Sequence, residues 1–319
     1  MVDKVRMIIM REKNKPIFYS SFIQNHFCRN WDNDRWIKEL KMLKDVGINE
    51  VILQTVADTK EKFTVYPSGI DGYNHQGRDV VLILLKTAEY LDMKVRIGLG
   101  FNNEWWRVNA LSKSWLIKEA EANKLLVQEL SQRYGRFTAL KGWYIPHEFY
   151  QIMALTKFQQ KNLNLFFKDI SSHIKEINSG DIMISPFFYE KLFLINSFRY
   201  WTNILKNVLN DSSIDILALQ DSVGAGFVRL NKLKDLFQAT KAAADELKVK
   251  LYADTETFEK SGKGFIPADI ERIKKQMLIE SQFVEKFVAF SINHYQNKHE
   301  DKGDQEYENY KIYYNEIIK

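Results

Sequence analysis

Short runs of apolar, β-branched or aromatic residues alternate with longer amphipathic runs from residue 16 to the end of the chain. The short runs have the length and composition of buried strands. The longer runs carry apolar residues at helical spacing, as Trp36, Leu40 and Leu43 do before Gly47. The alternation therefore predicts a series of strand–helix units around a parallel sheet.

The repeated units set the expected fold. The predicted strands span residues 16–22, 50–56, 94–99, 140–145, 181–186, 215–219, 250–253 and 286–291. The predicted helices span residues 34–46, 80–91, 114–134, 157–177, 192–209, 230–247, 267–284 and 307–318. Eight units without a linker rich in Pro, Gly or Ser predict a single (β/α)8 barrel domain over residues 1–319, with 1–15 as an N-terminal extension. A doubly wound open sheet is the competing fold.

Several function classes are disfavoured by composition and by absent motifs. Residues 24–28, where a dinucleotide-binding sheet carries G-x-G-x-x-G, read Gln-Asn-His-Phe-Cys, and no P-loop sequence occurs. We therefore expect no nucleotide cofactor. Cys28 is the only cysteine, so we expect neither an internal disulfide nor cysteine-pair redox chemistry. The net charge of +5 is small and scattered, which argues against a nucleic-acid partner.

Apolar runs bear on membrane association and localisation. The longest aliphatic run, residues 80–85, is far shorter than the roughly 20 residues that span a bilayer. The first ten residues contain no apolar core of the roughly 7–15 residues that a secretory signal needs. We expect no membrane segment and a cytoplasmic protein, or a secreted one if a leader has been removed. The oligomeric state stays open.

The fourth predicted strand ends in a carboxylate. Its apolar residues run to Pro146, which has no N–H to give to a strand ladder, and Glu148 follows at the expected barrel rim. Partial burial beside aromatic neighbours is expected to raise the pKa of Glu148 and to suit it to general acid catalysis. A solvated or helix-capping glutamate is the alternative.

The seventh predicted strand ends in two more carboxylates. Period-two alternation places Tyr252, Asp254 and Glu256 on one face, which looks into the barrel mouth if that face is inward. Carboxylates from strands four and seven then face each other across the mouth. Cleavage of a glycosidic bond needs such a pair, one to protonate the leaving oxygen and one to attack or to activate water.

The segments 142–149, 218–224 and 254–259 carry a resemblance that covers most of the chain. They resemble the clan A type of (β/α)8 retaining glycoside hydrolases, and in particular a bacterial group of glycosidase-like barrel domains of unknown function. The resemblance implies Glu148 as acid/base, Glu256 as nucleophile, a glycan or glycoside as substrate, and no cofactor. The clan usually has Asn before the strand-four glutamate, whereas this chain has His147.

Other polar and aromatic residues at predicted strand ends suit sugar binding. Flat aromatic faces stack on the apolar faces of sugar rings, while amides bind hydroxyl groups. The candidate substrate-binding residues are Gln24, Gln54, Asn102, Trp105, Trp106, His147, Tyr189, Gln220, Asp221, Asp254, His294 and Tyr295. For Asp221, tuning of Glu256, a catalytic role of its own and helix capping are all open.

Two alternatives to a glycoside hydrolase remain. The first is a carbohydrate-binding barrel without catalysis, which His147 in place of the usual Asn suggests. The second is a metal-dependent hydrolase that uses His147 and His294 with Asp221 or Asp254. The first strand lacks the H-x-H sequence with which metal-dependent barrels of this kind typically begin, so we expect no metal.

Overall fold

Eight parallel strands close into a ring in the computed structural model, which describes residues 15–192, 197–262, 264–299 and 303–319. The strands are β1 (Phe18–Ile23), β2 (Glu50–Leu53), β3 (Lys94–Gly98), β4 (Leu140–Tyr144), β5 (Asp181–Ile184), β6 (Ile216–Gln220), β7 (Lys250–Glu256) and β8 (Lys286–Phe290). They pair in chain order, and β8 closes the ring by pairing with β1. The predicted (β/α)8 barrel is confirmed.

Helices surround the ring. They are α1 (Asn33–Lys44), α2 (Val80–Tyr90), α3 (Lys113–Tyr134), α4 (Lys157–Ile177), α5 (Phe198–Leu209), α6 (Leu233–Leu247), α7 (Ile270–Glu280) and α8 (Asp304–Ile318). Among the described residues, no helix is both long and apolar enough to cross a membrane. The predicted extension 1–15 lies outside the described residues apart from Lys15, as do residues 193–196 of the predicted fifth helix.

Short elements decorate the mouth of the barrel. They are the helices Asn25–Cys28, Trp105–Val108 and Ile292–Tyr295, the 3-10 helices Gln151–Ala154 and Leu230–Lys232, the hairpin of Phe258–Ser261 with Gly264–Pro267, and the small sheet of Asn74–His75, Phe63–Thr64, Ala57–Asp58 and Gly100–Phe101. All four strands of the small sheet belong to the loops after β2 and β3, so this side of the mouth is built up.

Local side-chain chemistry explains where elements begin. Helix α4 starts at the predicted residue because Thr156 and Gln159 form a capping box. Helix α7 starts later than predicted, since Pro267 pairs with Phe258 in the hairpin and Asp269 caps the helix instead. Strand β7 is longer than predicted because its ladder with β8 continues to Glu256.

The barrel interior holds its own apolar cluster, separate from the larger core between strands and helices. It is formed by Phe22, Ile52, Tyr144, Met183, Ile216, Ala218, Tyr252 and Val288. Because Tyr252 faces inward, the period of two along β7 points Asp254 and Glu256 into the barrel as well. The face of β7 that carries Asp254 and Glu256 is therefore the inward one, which the sequence analysis could state only as a condition.

A buried ion pair ties together four strands at the amino-terminal end of the ring. The Arg96 guanidinium on β3 lies 3.2 Å from the Glu50 carboxylate on β2 and donates to the Trp143 and Asp181 carbonyls on β4 and β5. Gly142 makes room for it, since a Cβ there would lie 2.3 Å from the guanidinium. The side chains of Arg96 and Glu50 are each 4% exposed.

Removing one partner of this pair should be costly, because the other charge is left buried and unpaired. We expect Arg96→Met to lower the free energy of unfolding by roughly 3–5 kcal/mol and the double variant Arg96→Met/Glu50→Leu to recover most of that loss. Urea unfolding measures both. As a control, Lys241→Met breaks an exposed pair with Asp245 and should change the stability by less than about 1 kcal/mol. A small effect of Arg96→Met alone would contradict this account.

Candidate active site

A cavity of about 380 Å³ opens at the carboxyl ends of β1 to β4. Its lining is Gln24, Asn25, His26, Gln54, Thr55, Ala57, Asp58, Phe101, Asn103, Trp106, Pro146 and Glu148. The Gln24 amide donates to the Gln54 side-chain oxygen over 2.9 Å, so these two predicted residues are brought together. Trp106 is 41% exposed and presents its ring to the cavity. Amides, the carboxylates of Asp58 and Glu148, and an aromatic face therefore share one concave surface.

Glu148 is the carboxylate that follows β4 in this cavity. The indole N–H of Trp105 donates to the Glu148 backbone carbonyl over 2.5 Å, which fixes the chain just beyond β4. Burial raises the pKa of the Glu148 carboxyl group to about 7, against the opposing effect of a hydrogen bond from the Gln220 side chain. A carboxyl group that titrates near neutrality and borders a cavity has the properties of a general acid.

Asp254 lies on the inward face of β7. Its Oδ2 accepts a 2.7 Å hydrogen bond from the Ser185 hydroxyl at the end of β5. Its Oδ1 is buried and has no hydrogen-bond partner among the described residues. Burial raises the pKa of Asp254 well above the ordinary value, and the nearby charge of Glu148 adds to the increase. Asp254 is therefore an acid held close to Glu148.

Glu256 ends β7 and retains 5% exposure. Its Oε2 accepts a 2.6 Å hydrogen bond from the Ala225 N–H in the loop after β6. That loop comes close because residue 224 is glycine, since a Cβ there would lie 2.0 Å from the Phe258 carbonyl oxygen. Burial and the charge of Asp221 raise the pKa of Glu256 well above the ordinary value. Glu256 does not line the cavity that Glu148 borders.

Asp221 is fully buried behind Glu256. Its carboxylate accepts hydrogen bonds from the Val223 N–H, the Glu256 N–H and the Gln276 side-chain amide. It also shares a hydrogen bond with Glu280, which the sequence analysis did not select. Asp221 therefore holds the end of β7 and the loop after β6, and the structure does not bring it to the mouth.

Two residues flanking Glu148 are turned away from the cavity. His147 is buried between β4 and the helices, where its Nε2 lies 3.2 Å from Glu119 Oε1. Trp105 is also buried and packs against His147 with ring centroids 4.8 Å apart. His147 lies between Pro146 and Glu148, which both line the cavity, and its own side chain points the other way. Trp105 acts on the site only through its bond to the Glu148 carbonyl.

Three further predicted residues have structural contacts. The Asn102 side chain accepts from the Glu104 N–H over 3.0 Å and turns the loop after β3. His294 Nε2 accepts from the Gln24 N–H, and burial lowers its pKa to about 3. Tyr295 packs on Phe258 with centroids 5.0 Å apart.

The two remaining predicted residues, Gln220 and Tyr189, lie near the mouth. Gln220 bonds the Glu148 carboxylate and the Ser185 carbonyl. Tyr189 packs against Phe227 with ring centroids 4.7 Å apart.

The structure separates the proposed metal ligands. His147 faces Glu119 behind β4, whereas His294 faces β1. Within the described part of the chain, no three or more His, Cys, Asp or Glu side chains are grouped to hold a metal ion.

Sequence reasoning missed several residues at the mouth. Phe290 ends β8 on the same face as Val288, is partly exposed, and packs on Phe22 with centroids 5.6 Å apart. Phe187 follows β5 and stacks on Tyr150 at 4.8 Å. An aromatic residue at a strand end is a usable signal for Phe290. For Phe187 the signal is hidden, because two further aromatic residues, Phe188 and Tyr189, follow it directly.

Glu280 provides a test of the buried carboxyl group. Burial and the charge of Asp221 raise its pKa in the folded protein. Its contribution to stability is therefore complete below the unfolded pKa of about 4.3 and is lost as pH rises toward the folded pKa. We expect Glu280→Gln, which keeps a donor but cannot ionise, to flatten the fall of unfolding free energy with pH by up to about 1.4 kcal/mol per pH unit.

Urea unfolding at several pH values measures this slope. Glu271→Gln is the matched control, because Glu271 lies on the same helix α7 with its side chain 64% exposed. If the free energy of unfolding changes with pH in the same way for wild type and Glu280→Gln, the pKa of Glu280 is not raised in the folded protein.

Comparison with known proteins supports the fold and the resemblance. The family described as Domain of unknown function (DUF4434) matches residues 17–303. This match confirms the expected resemblance to a barrel domain of unknown function. No curated protein has a significantly similar sequence.

Solved structures with similar folds include several named as glycosidases. A "putative alpha-L-fucosidase" from Bacteroides thetaiotaomicron VPI-5482 has a TM-score of 0.80 and 22% identity, covering 96% of this chain and 97% of that one. An endo-1,4-beta-D-mannanase from Thermotoga petrophila RKU-1 has a TM-score of 0.62 and 14% identity, covering 94% and 99%. A GH99 endo-alpha-mannosidase from Bacteroides thetaiotaomicron has a TM-score of 0.56 and 12% identity, covering 95% and 97%. At these identities the likeness is one of fold.

Proposed function

The chain belongs to the family Domain of unknown function (DUF4434), and we propose that it is a glycoside hydrolase that cleaves O-glycosidic bonds with retention of configuration. The main support is Glu148, which borders a polar cavity and has its pKa raised to about 7. A second carboxylate, Glu256, faces inward from the end of β7. An acid beside a sugar-sized cavity and a carboxylate across the ring are the two groups that this chemistry needs. The barrel fold shared with structures named as glycosidases is consistent with the proposal.

The proposed reaction has two steps. Glu256 attacks the anomeric carbon while Glu148 gives its proton to the departing oxygen, so the glycosidic bond breaks and a glycosyl ester of Glu256 forms. Glu148 then takes a proton from water, whose oxygen displaces Glu256 and releases the sugar. The two inversions leave the configuration unchanged. Neither step uses a cofactor.

Glu256 is the better nucleophile candidate of the two carboxylates on β7. Asp254 lies two residues deeper, is 1% exposed, and has one oxygen bonded to Ser185. Glu256 lies at the strand end, where the Ala225 N–H holds one oxygen and orients the other. The raised pKa of Glu256 makes its ionised form a stronger base and nucleophile once the proton is lost.

The polar lining of the cavity is proposed to bind the sugar that undergoes attack. Gln24 and Gln54 offer amide groups to its hydroxyls, and Gln220 positions the Glu148 carboxylate. Trp106 offers an aromatic face at the cavity edge.

A second candidate function is carbohydrate binding without turnover. The observation that favours it is His147, which stands where the clan usually has Asn and is turned away from the cavity toward Glu119. No amide from that position reaches the sugar. Binding of oligosaccharides without hydrolysis in a broad substrate screen would select this function over the first.

Substitution of each glutamate should have a different signature. We expect Glu256→Gln to abolish turnover of every substrate, because no ester with the sugar can form. We expect Glu148→Gln to reduce kcat/KM for oligosaccharides by roughly 10²–10⁴-fold. It should spare kcat/KM for glycosyl fluorides, which reports the first step only and whose leaving group needs no proton. Product release from both substrate types is the measurement. Glu271→Gln, a change at an exposed side chain, is the control. Full activity of Glu256→Gln would contradict the assignment of Glu256 as nucleophile.

The pH dependence should follow the same two groups. Glu148 must hold its proton, so kcat/KM for oligosaccharides should fall as pH rises through about 7. Glu256 must be ionised, and its raised pKa should shift the acid limb above the value of an ordinary glutamate, about 4.3. Profiles of kcat/KM against pH test both limbs. The alkaline limb should vanish for Glu148→Gln acting on a glycosyl fluoride, and its persistence would assign that limb to another group.

A further inference from the structure

A continuous set of aromatic rings leads away from Glu148 over the loops that follow β3 to β6. This aromatic track consists of Phe101, Trp106, Tyr150, Phe187, Tyr189 and Phe227. All six side chains are exposed or partly exposed. Large aromatic residues of the core are fully buried. A contiguous group of exposed aromatic rings is the kind of surface that marks a ligand-binding site.

Phe187 is the centre of the track. Its ring is stacked on Tyr150 at 4.8 Å and on Phe227 at 5.8 Å, and it lies 6.2 Å from Trp106. Tyr189 extends the track beyond Phe227 at 4.7 Å. Phe101 extends it on the other side of Trp106 at 6.3 Å. The rings hold one another in place, so the surface is pre-formed and binding to it costs little side-chain ordering.

The track is physically continuous with the candidate active site. The Phe187 N–H donates to the Phe149 carbonyl directly after Glu148, and Phe187 forms a parallel bridge with Gln220, whose side chain bonds the Glu148 carboxylate. Trp106 belongs both to the track and to the lining of the polar cavity. A ligand lying on the track therefore reaches Glu148 without crossing a gap.

The two sides of Glu148 differ in chemistry. On the side of β1 and β2 the lining is mainly polar, with Gln24, Asn25, Gln54 and Asp58 among its residues. On the side of β3 to β6 it is aromatic. A sugar whose bond is cleaved needs directional hydrogen bonds to its hydroxyls, which the polar side supplies. A departing sugar needs only to be held, and flat rings do this through the apolar faces of pyranoses.

We propose that the aromatic track binds the leaving-group side of an oligosaccharide, so that the substrate is a glycan chain that continues beyond the cleaved bond. The inference rests on the proposed function for its direction, since the leaving oxygen is the one that Glu148 protonates. It adds a substrate class: chains with at least one further sugar on the leaving side, in preference to glycosides of small aglycones.

The test compares two substrates of the same sugar. One is an oligosaccharide of two to six residues, and the other is the glycosyl fluoride, which has no sugar on the leaving side. Phe187→Leu keeps apolar volume but removes the flat face. We expect it to lower kcat/KM for the oligosaccharide by about tenfold and to leave the fluoride within about twofold.

Phe227→Leu provides a second variant with the same expected direction, should Phe187→Leu fold poorly, because Phe227 is partly exposed and stacks on Phe187 outside the polar cavity. Tyr90→Leu is the control, because Tyr90 is 73% exposed at the end of α2, away from the mouth. An equal loss of kcat/KM on both substrates, or no loss on either, would contradict the proposed role of the aromatic track. The glycosidase proposal would not be affected.

Direct measurement of binding tests the aromatic track even if the protein hydrolyses no substrate. Titration of wild type with manno-, xylo-, cello- and arabino-oligosaccharides, followed by calorimetry, measures binding directly. Binding that Phe187→Leu weakens about tenfold supports the track even where hydrolysis is absent and the proposed function fails. Absence of binding to every member of this panel, or binding that Phe187→Leu leaves unchanged, overturns the track.

Discussion

Ring closure between the first and last strands is the constraint on which the candidate site depends. Ser20 and Ser21 of β1 pair with Val288 and Ala289 of β8, and this ladder turns eight separate strand–helix units into one rim. All strands are parallel, so every carboxyl end meets at the same mouth. Residues as distant in the chain as Gln24 and His294 thereby come within hydrogen-bonding distance. An open sheet with the same elements would leave β4 and β7 on one edge without a shared cavity.

Closure concentrates carboxyl groups, and the structure offsets their burial in two ways. Backbone N–H groups donate hydrogen bonds to Asp221 and Glu256. Burial raises the pKa of both carboxyl groups, and the nearby Arg272 charge offsets part of that increase. Asp254 and Glu280 avoid a buried negative charge by keeping their protons, since burial raises their pKa values well above the ordinary range. The loop after β6 and helix α7 therefore act as a rigid support for the end of β7. Glu148, the group that borders the cavity, has its pKa raised by burial to about 7.

The mouth is divided by chemistry as well as by chain order. Amide residues after β1 and β2 form a polar half, and aromatic residues after β3 to β6 form an apolar half, with Glu148 between them. Such a division suits a ligand that is itself amphipathic and extended, as a sugar chain is. The small sheet after β2 and β3 raises one wall, and the hairpin after β7 raises another.

The sequence by itself determined the succession of strand–helix units and which residues of β7 share one face, because period and spacing are properties of neighbouring residues. It also selected Glu148, Gln24, Gln54 and Trp106, which lie in the loops that follow strands and line one cavity. Only the tertiary structure decided that His147 turns outward to Glu119, that Asp221 supports Glu256 from behind, and that Phe187 joins Trp106 in one aromatic surface. These outcomes depend on contacts between elements far apart in the chain. Loop conformation and packing against helices fix such contacts, and neither leaves a periodic signal in the sequence.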